Sequence, residues 1–353
     1  MKKVVVGMSG GVDSSVSAYL LKQQGFEVIG LFMKNWEEKD PSGVCRSSED
    51  YEDAARVCDL LSIPFYSVNF AKEYWDGVFS SFIEGLKLGY TPNPDILCNR
   101  EIKFNVFFQK AKSLGADYLA MGHYCQTQDG QLLKGADPGK DQSYFLYTLK
   151  EEILKEVLFP IGHLQKSEVR KIAKEQGLPV HDKKDSTGIC FIGKRNFKEF
   201  ISQYIPYTPG NFENSRGEVI GKHDGAAYYT IGQRKGLGIG GPGGAWFVVK
   251  KEMDRNVVVI EQGEDHPALL SQKLTAQEWT FIKEDLTSPL PFTCKAKIRY
   301  RQEEQACTIE SIDSETMTVH FQGPQRAVTP HQSIVFYDGE VCLGGALIKS
   351  SFM

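Results

Sequence analysis

Val4-Val5-Val6-Gly7-Met8-Ser9-Gly10-Gly11-Val12-Asp13-Ser14-Ser15 runs an apolar strand into two glycines and then into a helix. At such a junction the backbone amides of the turn and of the first helical turn point outward, unpaired, toward whatever anion lies there. Gly10 and Gly11 permit a backbone approach that a side chain would block, and Ser9, Ser14 and Ser15 add hydroxyl donors. Pyrophosphate fits this turn. Asp13 is placed to cap the helix or to help hold magnesium beside the phosphates. A Walker loop would need Gly-Lys followed by Ser or Thr, and no Gly-Lys in the chain has that neighbour.

Outward from this turn, residues 1–206 alternate short apolar runs with helical patterns. Val4–Met8, Val28–Met33, Phe65–Asn69 and Tyr118–Met121 read as strands. Ser14–Gln23, Tyr51–Leu61, Trp75–Leu88, Ile102–Leu114 and Ser167–Gln176 carry apolar residues at three- and four-residue spacing and read as helices. The rhythm predicts an α/β fold: a parallel sheet covered by helices. After Pro209-Gly210 the runs become short, β-branched and aromatic. Ala227–Ile231, Trp246–Val249 and Val257–Ile260 read as strands, the last two joined by a turn at Asp254-Arg255-Asn256. Residues 207–270 are therefore expected to form a small β domain. Runs at Thr275–Phe281, Thr293–Arg301, Gln305–Ile312, Thr316–Phe321, Ser333–Tyr337 and Val341–Lys349 predict a C-terminal β-barrel over 271–353. Gly238-Ile239-Gly240-Gly241-Pro242-Gly243 has the spacing of a dinucleotide fingerprint but runs toward a strand, not a helix, and reads as a loop.

The 353 residues exceed what one compact core needs. With 41% hydrophobic and 24% charged residues and no run of eighteen apolar ones, the chain reads as soluble. Met1-Lys2-Lys3 leads straight into the first strand, leaving no room for a signal or transit peptide, so the expected compartment is the cytoplasm. A net charge of −4 argues against a general nucleic-acid coat protein, yet leaves room for a local basic face. Lys295, Lys297, Arg299 and Arg301 stand at alternate positions of one predicted strand, which would gather four cations on one face for RNA phosphates to neutralise.

Eight cysteines are too sparse for a disulfide scaffold, and none forms the close pairs of a zinc site, so no metal-ligating set is expected from them. Cys58, Cys125, Cys294, Cys307 and Cys342 sit among apolar or strand-like neighbours and read as buried; Cys45, in a polar stretch, is ambiguous. Cys98 follows Asn93-Pro94-Asp95, where Asp95 or Asn99 can cap a helix and Asp95 can accept a proton; a thiol near a helix start is acidified. Cys190 lies in Asp185-Ser186-Thr187-Gly188-Ile189-Cys190-Phe191 between Lys183-Lys184 and Lys194-Arg195, an electropositive setting that favours a thiolate. Two such cysteines beside a phosphate loop point to sulfur or redox chemistry. A small-molecule ligase or amidotransferase would share the loop but has no use for the cysteines, and an RNA-binding or redox-sensing protein would have no use for the loop.

The loop resembles the PP-loop of ATP pyrophosphatases, which cleave between the α- and β-phosphates. Taken with Phe32–Trp36, Asn93–Cys98, Gly122-His123-Tyr124, Lys140–Phe145, Asp185–Phe191, Thr230–Gly238 and Arg299-Tyr300-Arg301, the whole chain resembles the bacterial tRNA-specific 2-thiouridylases. That resemblance implies adenylation by ATP of the 2-position oxygen of the wobble uridine in the anticodon loops of tRNAs for lysine, glutamate and glutamine. Sulfur then comes from a persulfide on Cys190, loaded by a sulfur-relay protein or a cysteine desulfurase, with Cys98 as nucleophile and a Cys98–Cys190 disulfide as one outcome. It also implies ATP contacts for Gly7, Met8, Ser9, Gly10, Gly11, Val12, Asp13, Ser14, Met33 and Gly122, and contacts with the target base for Asn93, Pro94 and Asp95. His123, Lys140, Asp141, Gln142, Arg299, Tyr300 and Gln332 are implied to meet tRNA.

Overall fold

The computed structural model describes residues 1–36, 46–185, 196–284 and 289–353. Lys3–Met8 forms the central strand of a parallel sheet in which Phe65–Asn69, Glu27–Lys34, Lys3–Met8, Tyr118–Ala120 and Val157–Leu158 lie side by side. Alternation along a strand sends Val5 into one apolar layer, with Phe107 and Leu119, and Val4 and Val6 into the other, with Val16, Val28 and Val57. All three valines are fully buried. Burial on both faces is what a parallel sheet covered by helices requires, and each such side chain contributes roughly 1.5–3 kcal/mol. Helices Val12–Gln23, Arg46–Leu61 and Lys166–Glu175 supply cover, the first and third close to their predicted extents and the second starting at Arg46 where Tyr51 was expected. Val157–Leu158, two residues long, is too short to show a period in sequence.

The chain enters this sheet at its centre, builds one side, then crosses to the other, so the turns after Lys3–Met8 and Tyr118–Ala120 face each other across a crevice at the strands' C-terminal edge. Open α/β sheets bind ligands at such a switch point.

A second sheet places Trp246–Glu252, Val257–Gln262, Gly210–Glu213 and Val219–His223 in order, with Asn256 at φ +49° in the turn foreseen there. The expected strand Ala227–Ile231 does not form. Ala226–Tyr228 is a single 3₁₀ turn entered from Gly225 at φ +144° and held by Asn256 Oδ1, which accepts from the Ala226 N–H. Its aromatic composition reflects burial, Tyr228 and Tyr229 both packing inward, and not pairing.

Leu270–Phe281, Met317–Arg326, Gln305–Ile312, Phe292–Lys297, Ser333–Asp338 and Val341–Phe352 pair antiparallel in that order, and the last closes onto the first as a barrel. The hairpin Cys125–Gln128 and Gln131–Lys134, which leaves the end of the parallel sheet, adds to the barrel's edge through Leu132 and Leu133 opposite Cys342 and Val341.

The four-cation face is overturned. The strand ends at Lys297, where Gln302 Oε1 accepts from the Ile298 N–H at 2.8 Å and bends the chain, so Arg299 and Arg301 leave the row. Lys297 instead turns to Asp141, 3.5 Å away and 5% exposed, and to the Tyr337 ring. Arg299 bridges domains, donating to the carbonyls of Ile231 and Ala327 at 3.0 and 2.8 Å.

Segment 140–147 docks on the barrel through polar bonds. Ser143 Oγ lies 3.2 Å from the Tyr337 hydroxyl, the Tyr144 hydroxyl donates to the Ser333 carbonyl at 2.8 Å, and the Tyr300 hydroxyl donates to the Lys140 carbonyl at 3.3 Å. Asp141 organises the segment, accepting from the Gly135 and Ser143 N–H groups at 3.0 and 3.1 Å. Asp141→Ala strands Lys297 without its carboxylate and frees those donors, so it should destabilise the protein by about 3 kcal/mol. A lowered urea midpoint is the expected reading; an unchanged midpoint would remove Asp141 from the docking.

Candidate active site

Gly10, at φ +70°, occupies a backbone region that favours glycine, and a Cβ there would lie 2.3 Å from the Asp50 carbonyl oxygen. Gly122 closes the facing side: its Cβ would meet the Ser14 nitrogen at 2.9 Å and the Asp13 carbonyl carbon at 3.0 Å. Gly7 abuts Met121 equally closely, while Met8 and Val12 are buried anchors on either side of the turn. Met33 lies one residue beyond Phe32, the partner of Met8, at the same edge of the sheet. Gly7, Met33 and Gly122 therefore line adjacent strand ends around one cradle. Its hydroxyls are ordered: Ser14 Oγ accepts from the Ser9 N–H at 3.2 Å and lies 3.1 Å from Ser9 Oγ, and Ser15 Oγ donates to the Gly11 carbonyl. The residues fit a phosphate ligand. Glycines admit it, helix Val12–Gln23 presents its amino end, and Gly11, whose added Cβ would meet only Ser9 Oγ at 3.3 Å, leaves the approach open.

Cations surround the cradle. Lys166 Nζ, opening helix Lys166–Glu175, donates to Asp13 Oδ1 and Oδ2 at 2.7 and 2.9 Å and lies 2.9 Å from Asp185 Oδ1. Asp185 also holds Lys140 at 2.8 Å and Arg170 at 2.7 Å. Burial would raise the Asp185 carboxyl, but hydrogen bonds from Lys140 and Lys166 prevail and hold it far below the carboxylate range. Lys183 reaches over the loop to the Gly10 carbonyl at 2.9 Å and to Asp50 at 2.7 Å. The Tyr124 hydroxyl donates to Asp13 at 2.7 Å, and burial together with that carboxylate pushes its pKa well up. Asp13 does not cap its helix; it is the anchor of this ion network. Among the described residues no cluster of three or more acidic, histidine or cysteine groups could hold a metal.

Cys98 rides a helix that Asn93 starts, its Oδ1 accepting from the Asp95 N–H at 3.1 Å, with Pro94 in the first helical position, where a missing N–H costs nothing. From Cys98 to Val106 the helix widens to π geometry and Phe104 departs from helical angles. Such widenings cluster at functional sites. Cys98 is 3% exposed, packed with Phe79, Phe82 and Ile102 against Phe200 and Tyr228 of the following segment. It is the fifth residue of the helix that opens at Pro94. Burial raises the Asp95 carboxyl, offset in part by Lys103. Cys58, Cys125, Cys294, Cys307 and Cys342 are buried as expected. Cys45 and Cys190 lie outside the described residues.

The remaining candidates divide. His123 and Asp141 are buried, and Gln142 is spent on the Tyr124 N–H. Lys140, half exposed, pairs with Asp185 at the cradle. Gln332 donates to the Thr91 carbonyl, and His331 stacks on Tyr90, so a barrel loop seats on the segment entering the Cys98 helix. Tyr300 packs on Phe145 with ring centroids 4.4 Å apart. Sequence reasoning missed Lys103 and Lys166. Lys103 falls eight residues after Asp95, a helical repeat visible once the helix is extended to include both; nothing local marks Lys166.

The chain matches families described as "tRNA methyl transferase HUP domain" over residues 2–194, "tRNA methyl transferase PRC-barrel domain" over 198–262 and "Aminomethyltransferase beta-barrel domain" over 271–348. It is 58% identical to the tRNA-specific 2-thiouridylase MnmA of Protochlamydia amoebophila, over 99% of this chain and 93% of that one. It is likewise 58% identical to MnmA 1 of Geobacillus kaustophilus, over 98% and 95%. Among solved structures, a 4-thiouridine synthetase in complex with RNA and bound ATP aligns over 58% of this chain and 50% of its own, at 19% identity and a TM-score of 0.34. With identity this high running from end to end of both chains, the protein belongs to the tRNA-specific 2-thiouridylase family.

Proposed function

We propose that this chain is a tRNA-uridine 2-sulfurtransferase that spends ATP to replace the 2-position oxygen of the wobble uridine in tRNAs for lysine, glutamate and glutamine. The observation that carries the reading is the position of Asp185. It stands five positions before Cys190 in the sequence, and Lys166 fastens it to Asp13 on the phosphate loop. The root of the sulfur-bearing segment and the nucleotide cradle are thereby one unit.

In the first step the uracil O2 attacks the α-phosphorus and pyrophosphate leaves, converting a basic oxide into a leaving group. Gly7–Ser14, Met33 and Gly122 would hold ATP. Magnesium would neutralise charge on the phosphates, and Asp13 would be the carboxylate to hold it, in exchange for part of its bond with Lys166; a magnesium site needs only one or two carboxylates with substrate oxygens. In the second step the terminal sulfur of a Cys190 persulfide becomes bonded to C2 and AMP departs. In one route Cys98 attacks C2 and expels AMP, the terminal persulfide sulfur then displaces the Cys98 thiolate from C2, and that thiolate attacks the Cys190 sulfur, breaking the S–S bond and freeing 2-thiouridine; in the other, Cys98 attacks the Cys190 sulfur first and the sulfide released attacks C2 and expels AMP, and both routes leave a Cys98–Cys190 disulfide. Asp95, with a carboxyl raised by burial, suits proton exchange there. Asn93, Pro94 and Asp95 would meet the base, and His123, Lys140–Gln142, Arg299, Tyr300 and Gln332 would border the tRNA. The persulfide comes from a sulfur-relay protein or a cysteine desulfurase. No helix among the described residues is long and apolar enough to cross a membrane, and the cytoplasm, where tRNA is, is the proposed compartment. Three domains, 1–206, 207–270 and 271–353, would divide the work into nucleotide, connecting and RNA-gripping parts.

Cys98→Ser and Cys190→Ser should each abolish 2-thiouridine, read by mass spectrometry of digested tRNA, while ATP and tRNA binding persist; thiolation at the unmodified chain's rate by either variant sinks the proposal. Gly11→Ala adds a methyl at an ordinary φ of −101°, so the fold should persist while ATP affinity, measured by calorimetry, falls at least about tenfold because the backbone approach is blocked. Unaltered ATP affinity would show that the phosphates sit elsewhere.

A further inference from the structure

The helix carrying Cys98 bears Asp95, Asn99 and Lys103 at four-residue spacing, one row along one face. His123, which follows the fourth strand of the parallel sheet, meets the end of that row: Lys103 Nζ lies 3.3 Å from His123 Nε2. His123 is 8% exposed and flanked by the rings of Phe104 and Phe159, each with its centroid 5.8 Å away. Its Nδ1 is buried and has no hydrogen-bond partner.

An ammonium offers only donors, so the contact with Lys103 demands a lone pair on Nε2 and places the ring's proton on Nδ1. Burial, reinforced by the Lys103 charge, keeps the imidazole neutral. The result is a buried N–H donor with nothing to donate to, a standing cost that a native structure rarely carries without a reason. A single neutral donor set between apolar rings suits a neutral carbonyl on the edge of a planar base; a phosphate would call for charge-assisted partners.

We propose that Lys103 is a positioning residue that fixes His123 as an Nδ1–H donor, and that this donor receives the O4 carbonyl of the target uracil. The inference rests on the thiouridylase reading and deepens it. Thiolation replaces O2 and leaves O4 intact as an acceptor throughout. Cytosine carries an amino group at that position and would oppose donor with donor, so the pair Lys103–His123 selects uracil.

The test measures the His123 imidazole by nitrogen-15 NMR in the full chain, assigned with a His123→Gln variant, beside thiolation of anticodon stem-loops bearing uridine or cytidine at the target position. The Nδ1–H tautomer is expected in the unmodified protein and in Lys103→Arg, and its loss in Lys103→Met. The preference for uridine over cytidine should fall at least about tenfold in Lys103→Met and persist in Lys103→Arg. An Nε2–H tautomer or an imidazolium in the unmodified protein overturns the inference, as does a base preference that Lys103→Met leaves unmoved. Absence of 2-thiouridine from the unmodified protein would instead fail the thiouridylase reading and take the O4 assignment with it; thiolation with an unmoved preference fails this inference alone.

Discussion

One ammonium holds the nucleotide end of this molecule together. Lys166 sits between Asp13, on the first helix, and Asp185, 172 positions later in the chain, and its side chain is 12% exposed. The ammonium is the group cut off from water, while Asp13 and Asp185 keep about a third of their side chains exposed, so removing either carboxylate leaves a desolvated cation with half its match. The set therefore fixes the helix that presents its amino end to a ligand, the helix that Lys166 opens, and the root of the stretch toward Cys190. It also presents a ready exchange. An incoming polyanion competes for the same ammonium that the two aspartates share, so the geometry of 183–185 is tied electrostatically to what occupies the cradle.

A second constraint acts on the helix that carries Cys98. Gln332 and His331 of the barrel rest on Thr91 and Tyr90, immediately before the Asn93 cap, and Arg299 spans from the barrel to Ile231. The helix bearing Asp95, Cys98 and Lys103 is thus positioned from both sides, by the parallel sheet through His123 and by the barrel through the loop at its start. Residues remote from the chemistry set where Cys98 stands.

Much of the fold was legible in the sequence because its driving terms are local. Val4–Met8 reads as a buried strand from composition alone, and Gly10-Gly11 before Val12 marks the turn. Misreadings came where a distant partner decides. Phe292–Lys297 stops early because Gln302 captures the Ile298 N–H, and nothing in the alternating lysines and arginines reveals that. Ala227–Ile231 looks like a strand since burial and strand pairing favour the same side chains. At the site the loop glycines, Asp95 and Cys98 stood out by type and spacing. Lys166 did not, because its meaning lies in Asp13, 153 positions away, and Lys103 acquires one only when the sheet brings His123 to it.

The hairpin at Cys125–Lys134 bears on how the parts of such a protein are held together. It starts from the nucleotide-binding sheet yet pairs with one end of the barrel's closing strand, Leu132 with Cys342 and Leu133 with Val341. A cut anywhere between the hairpin and the barrel would leave one product with an unpaired ribbon and the other with two strand residues uncovered. The barrel is therefore joined to the nucleotide-binding sheet by backbone pairing as well as by side chains. A change at either side of that seam is therefore felt by both, because one ribbon of backbone belongs to each.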